Sequence, residues 1–93
     1  MISKNKLQTI IDKYGDLQIT VAIEELSELT KELCKKQRGK DNVNLILEEI
    51  ADVFIMLEQL KLLFNISDDD IEHMVNYKIK RTLERMNKNE KDN

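Results

Sequence analysis

A chain of 93 residues holds one domain and, at that size, buries only about 60–65% of the surface its unfolded form exposes. Hydrophobic residues at 41% with charged residues at 35% describe a globular, helix-rich protein and exclude a disordered one. The net charge of -3 argues against binding nucleic-acid polymers by bulk charge, though not against a local basic patch.

Cys34 is the only cysteine and His73 the only histidine, which excludes an internal disulfide, a cysteine-rich zinc site and a histidine pair within one chain. No apolar run is long enough to span a bilayer and no signal-peptide pattern is present, so the expectation is a cytoplasmic protein with no membrane partner.

Ser3 is placed to cap a first helix over 4–14, whose Leu7, Ile10, Ile11 and Tyr14 recur with i, i+3, i+4, i+7 spacing. Gly15 ends it. Asp16 is the expected cap of a second helix over 17–38, which stops at Gly39 after Lys31, Lys35, Lys36 and Arg38 have loaded its negative end. Lys40-Asp41-Asn42 makes a polar turn, with Asp41 or Asn42 capping a third helix over 43–64.

Val53-Phe54-Ile55-Met56-Leu57 is apolar nearly all round, so the third helix is expected to be covered on more than one face. Asn65-Ile66 turns the chain again. Ser67, with Asp70 three residues on, resembles a capping box, and Asp68, Asp69, Asp70 and Glu72 suit the positive end of a fourth helix over 68–87. Ile71, Val75, Thr82 and Met86 share one stripe of that helix, and the polar tail over 88–93 is expected to fray. Met56, Met74 and Met86 read as core filler, Cys34 and His73 as plain surface or packing residues, and Tyr77 as interface packing before base stacking.

The functional signal lies in two near-copies, Ile23-Glu24-Glu25-Leu26-Ser27-Glu28-Leu29 and Leu47-Glu48-Glu49-Ile50-Ala51-Asp52-Val53. Each puts two acids at i and i+3, on one helix surface. With Glu49 as reference, Leu45, Val53, Met56, Leu60 and Leu63 fall within about 40° and Asp52 sits at the stripe's edge. Val21, Ala22 and Leu29 flank Glu25, and Glu28 lies beside Val21. A helix that only needed to fold would carry leucine here, because burying a lone carboxylate costs several kcal/mol or forces it to take a proton.

The short turn makes the second and third helices an antiparallel hairpin, with the two motifs within about one turn of each other in height. Glu25, Glu28, Glu49 and Asp52 can then converge on a hard divalent cation, Mg²⁺ or Mn²⁺. Lys78, Arg81 and Arg85, at i, i+3, i+7, share one face of the fourth helix and offer phosphate contacts, with Lys35, Lys36 and Arg38 a second basic group. Phe54, Ile55 and Leu57 turn away from Glu49, and Ile19, Ile23 and Cys34 away from Glu25; pairing two hairpins across a two-fold axis buries these groups in a four-helix bundle.

At these residues the sequence resembles the MazG-type members of the all-α nucleoside triphosphate pyrophosphohydrolase superfamily. That superfamily is marked by Glu-x-x-Glu, a spacer, then Glu-x-x-Asp. Glu25-Leu-Ser-Glu28 and Glu49-Ile-Ala-Asp52 match, with 20 residues between Glu28 and Glu49, as do the doubled acids Glu24-Glu25 and Glu48-Glu49. The segment from Asp70 to Arg85, with Asn76-Tyr77-Lys78 and Arg81, is similar to the basic last helix of that group.

The resemblance spans roughly residues 17–85. It implies an all-α hairpin with flanking helices, forming a four-helix-bundle core as a homodimer or dimer of dimers. It also implies Mg²⁺ on Glu25, Glu28, Glu49 and Asp52, and hydrolysis of a nucleoside triphosphate to monophosphate and pyrophosphate. The rival reading is a non-catalytic helical interaction protein that keeps the fold and a metal.

Overall fold

The chain's local signals produce four helices in the order α1, Lys4–Tyr14; α2, Leu17–Gln37; α3, Val43–Leu63; and α4, Asp68–Asp92. In the computed structural model residues 2–92 are described, with side chains to residue 89. No strand occurs among the described residues, and no helix is long and apolar enough to cross a membrane.

Ser3 accepts a hydrogen bond from the Lys6 amide and opens α1. Gly15 closes it at φ 53°, a left-handed conformation that costs glycine little. The end of α2 is tied by the Lys40 amide donating to the Lys35 carbonyl (3.1 Å) and the Gly39 amide to the Lys36 carbonyl (3.0 Å), with Gly39 at φ 94°. α3 ends the same way with Asn65 in glycine's place, at φ 55°, and the Ile66 amide on the Lys61 carbonyl. The Asp70 amide donates to Ser67 Oγ at 3.0 Å and opens α4.

Two expected caps do not form. Asp16 takes helical angles (φ −65°, ψ −14°) and its side chain makes no cap bond, because α2 follows α1 so closely that Gly15 and Asp16 carbonyls accept from the Gln18 and Ile19 amides. Asn42 stands at the start of α3 but sends its amide across the hairpin to Glu32 instead. α4 also runs on to Asp92, past the end expected at Asn87. Nothing in the stretch after Met86 is glycine or proline, and the lysines there suit a helix's negative end.

α2 and α3 form the antiparallel hairpin, and α1 lies chiefly against α3. The core is small: Leu7 and Ile11 from α1, Ala22 from α2, and Val53 and Met56 from α3. Between the hairpin helices Gln18 Nε2 donates to Gln59 Oε1 at 2.8 Å, and Gln59 is only 2% exposed. Removing one member of such a buried pair leaves the other unsatisfied. Gln18→Leu alone is therefore expected to destabilise the fold by about 1–3 kcal/mol, whereas Gln18→Leu with Gln59→Leu comes close to neutral. Urea unfolding of both variants checks this.

Beyond its first turn α4 packs against no other helix among the described residues. It is held at its first turn, where Asp68 pairs with Lys4 at 3.1 Å and with Lys61. Those cations hold the Asp68 carboxyl below its ordinary range, Lys61 contributing most. Hence Met74 and Met86, expected as core filler, are exposed, as is Tyr77. A compact chain of 93 residues has a radius of gyration of about 12 Å, whereas this one measures 17.0 Å.

Candidate metal centre

The seam of the hairpin is built from residues at helical spacing, Gln18, Ala22, Glu25, Leu29 and Glu32 on α2 facing Glu49, Val53, Met56 and Gln59 on α3. In its middle, Glu25, Glu49 and Asp52 each offer a carboxylate oxygen, and these oxygens lie within 4.8 Å of one another. Glu25 and Glu49 are half-buried and Asp52 stands at the exposed rim.

Glu28 is exposed and its oxygens fall outside this group. Its charge nevertheless acts on both Glu25 and Glu49. Glu24 and Glu48 are exposed flanking acids, and Glu48 adds to the field at Glu49.

Loss of water pushes the Glu25 carboxyl above its ordinary range, and the Asp52 and Glu49 charges and a hydrogen bond to Asp52 add to the shift. Glu49 is raised for the same first reason, then by Asp52, Glu28 and Glu32. One oxygen of Glu49, Oε2, is buried without any hydrogen-bond partner. Buried polar atoms are rarely left so. Crowded carboxylates, an orphaned acceptor among them and no lysine or arginine paired with them among the described residues are what a hard cation would satisfy. All-oxygen donors favour Mg²⁺ or Mn²⁺ over softer metals.

Two polar layers flank the acids that sequence reading passed over. Two turns below Glu25 and Asp52 lies the Gln18–Gln59 pair. Two turns above Glu25 lies Glu32, buried, with Asn42 Nδ2 donating to its backbone carbonyl (2.9 Å) and to Oε2 (2.8 Å), and Lys35 Nζ 3.2 Å from Oε1. Asn42 foremost, then Lys35, holds the Glu32 carboxyl below its ordinary range. Gln18, Glu25 and Glu32 recur every seven residues, as do Asp52 and Gln59, so extending the wheel that placed Glu25 reaches them.

The basic candidates stand apart from the acids. Lys78 and Arg85 are exposed and Arg81 is half-buried on α4, and none forms an ion pair with Glu25, Glu28, Glu49 or Asp52 among the described residues. Lys35 is engaged with Glu32, while Lys36 and Arg38 are exposed. Cys34 and His73 are exposed surface residues. The chain matches no protein-family model, no curated protein and no solved structure.

Proposed function

We propose that this chain is a Mg²⁺-dependent nucleoside triphosphate pyrophosphohydrolase of the MazG-like kind, converting a (d)NTP to its monophosphate and pyrophosphate. The observation that carries the reading is the convergence of Glu25, Glu49 and Asp52 from two helices to within 4.8 Å, with Glu49 Oε2 buried and unpartnered. Glu25, Glu49 and Asp52, with Glu28 at the edge, would hold the cation. Bound there, a divalent ion screens polyphosphate charge and makes water more acidic.

The remaining work falls to the chain. A water oxygen attacks the α-phosphorus, the bond from that phosphorus to the bridging oxygen breaks, and pyrophosphate leaves. Glu49 or Glu25 accepts the water's proton, a role for which a carboxylate lifted above its ordinary range is suited. Glu24 and Glu48 add negative charge at the rim. Lys78 and Arg81 bind phosphate oxygens through charge-assisted hydrogen bonds. Lys78 is exposed and Arg81, though half-buried, forms no ion pair among the described residues, so neither charge contributes much to folding. Lys78→Met or Arg81→Met is thus expected to raise KM or lower kcat/KM while Tm barely moves; steady-state kinetics beside a melting curve check both.

The assembly in this reading is a homodimer or a dimer of dimers acting in the cytoplasm. Leu26 and Leu33 on α2, and Ile50 and Leu57 on α3, lie about 80–100° round from Glu25 and Glu49. On an antiparallel pair that rotation leads to the same side, so one hairpin face carries them all, exposed. An apolar groove of about 380 Å³, lined by Ile2, Leu47, Ile50, Ala51, Phe54 and Ile55, continues this surface round α3.

The test of the site is thermal. Mg²⁺ or Mn²⁺ binding to the native state alone raises Tm with concentration. The sign with pH follows from the raised carboxyls. Below their ordinary value of 4.5, Glu25 and Glu49 are protonated folded or unfolded and contribute no penalty. As pH rises through their higher folded values, their ionisation costs the metal-free protein stability, and added Mg²⁺ restores it. A Tm unmoved by millimolar Mg²⁺ at neutral pH would count against the site.

A further inference from the structure

We propose that α4 serves the site of a second copy of this chain: Lys78 and Arg81 lie beside the partner's Glu25–Glu49–Asp52 cluster, while the apolar stripe of α4 packs on the partner's hairpin. This rests on the reading of the cluster as a metal and phosphate site.

α4 does not serve its own cluster. It leaves the hairpin after a four-residue turn, is pinned by Asp68 to Lys4 and Lys61, and beyond that first turn packs on no helix of its own chain among the described residues. Yet its sequence is that of a helix with two partners. Ile71, Val75, Ile79, Leu83 and Met86 fall within an arc of about 120°. They are 39% to 54% exposed. Next to that arc lies the basic one, with Lys78, Arg81 and Arg85. A lone amphipathic helix with no apolar partner is marginal in water.

Spacing matches the two sets of charges. Lys78 and Arg81 lie 10 and 13 residues along α4 from Asp68, and Asp52 and Glu49 lie 11 and 14 residues back from Leu63, the end of α3. An α4 laid antiparallel along an α3 therefore brings cations level with acids, about 15–21 Å from the shared end. In its own chain α4 does not fold back. Exchange of an identical element between two copies gives the same match in trans, across a two-fold axis that makes two equal sites. Short hinges favour such exchange.

The surface allows it. A compact protein of this mass exposes about 5,600 Å², whereas this chain exposes 7661 Å². The excess of about 2,000 Å² per chain is well above the roughly 800 Å² that each partner buries in a standard interface. Charge complementarity also favours a second copy over an unrelated partner, because Glu25, Glu49 and Asp52 on the hairpin and Lys78, Arg81 and Arg85 on α4 form no ion pairs among the described residues and match each other in sign.

Co-expression of two differently tagged chains, one carrying Glu49→Gln and the other Lys78→Met with Arg81→Met, tests this. Each homodimer loses activity at both sites. In the purified mixed dimer, trans placement gives one site with both intact sets, so the rate recovers to about half that of the wild-type dimer. A mixed dimer no more active than the parents would overturn the proposal.

A second readout needs no activity. Mixed ¹⁴N- and ¹⁵N-labelled wild-type chains are cross-linked with a carbodiimide, which joins a carboxylate to an amine at contact. Lys78 linked to Glu25, Glu28 or Asp52 in peptides with one light and one heavy half is the expected result. Such links only within one chain, or none to Lys78, would overturn it. If the wild type releases no pyrophosphate, the enzymatic reading fails and the cross-links alone decide the placement of α4.

Discussion

Glu49→Gln is expected to lower pyrophosphate release by about 10²–10⁴-fold, the range of a lost general base, while leaving the fold intact. The change removes a charge and almost no volume. Glu49 sits among Glu25, Asp52, Glu28 and Glu32, and desolvation with their repulsion raises its carboxyl, so its ionised form strains the metal-free fold. The variant should melt slightly higher than the wild type in chelator at neutral pH and gain less from added Mg²⁺. The two effects have opposite signs, which separates a site residue from a structural one: a residue important only for packing would lose activity and stability together. Normal turnover by this variant would remove the central assignment.

Phe54→Asp is expected to dissociate the assembly and to lower Tm and activity with it. Phe54 is 50% exposed on the single chain and borders the apolar groove of α3. Leaving a large side chain in water forgoes about 1.5–3 kcal/mol, and a two-fold axis counts the loss twice. The dimer's dissociation constant should therefore rise by about 10²–10⁴-fold, with a further increase from burying a charge. Sedimentation equilibrium at micromolar concentration reads it directly. A variant that stays assembled and active places the interface elsewhere on the hairpin, and a wild-type chain that is active at 11.0 kDa contradicts the assembly altogether.

The helices were legible because their ends are written locally: Ser3, Gly15, Gly39 and Ser67 act within a few residues of themselves. Asp16 and Asn42 look equally good as caps, but their outcome depends on groups elsewhere. The turn after α1 supplies backbone carbonyls for α2, and Glu32 claims the Asn42 amide. The meeting of Glu25, Glu49 and Asp52 was legible from i, i+3 spacing and a short turn. Glu28 has the same i, i+3 spacing from Glu25 as Asp52 from Glu49, yet its exposed oxygens lie outside the group.

Gln18 and Gln59 were passed over because glutamine ordinarily marks surface, and only tertiary pairing buries it. The course of α4 was not legible, since its apolar and basic arcs specify what it should meet and not which copy of the chain supplies it.

The most direct measurement is pyrophosphate released from a panel of ribo- and deoxyribonucleoside triphosphates with and without Mg²⁺. The proposed function predicts Mg²⁺-dependent release of pyrophosphate and monophosphate in equal amounts from at least one of them, abolished by chelator and by Glu49→Gln. Release of orthophosphate in place of pyrophosphate, or no release from any triphosphate by a folded, Mg²⁺-binding protein, would contradict it and favour a helical interaction protein.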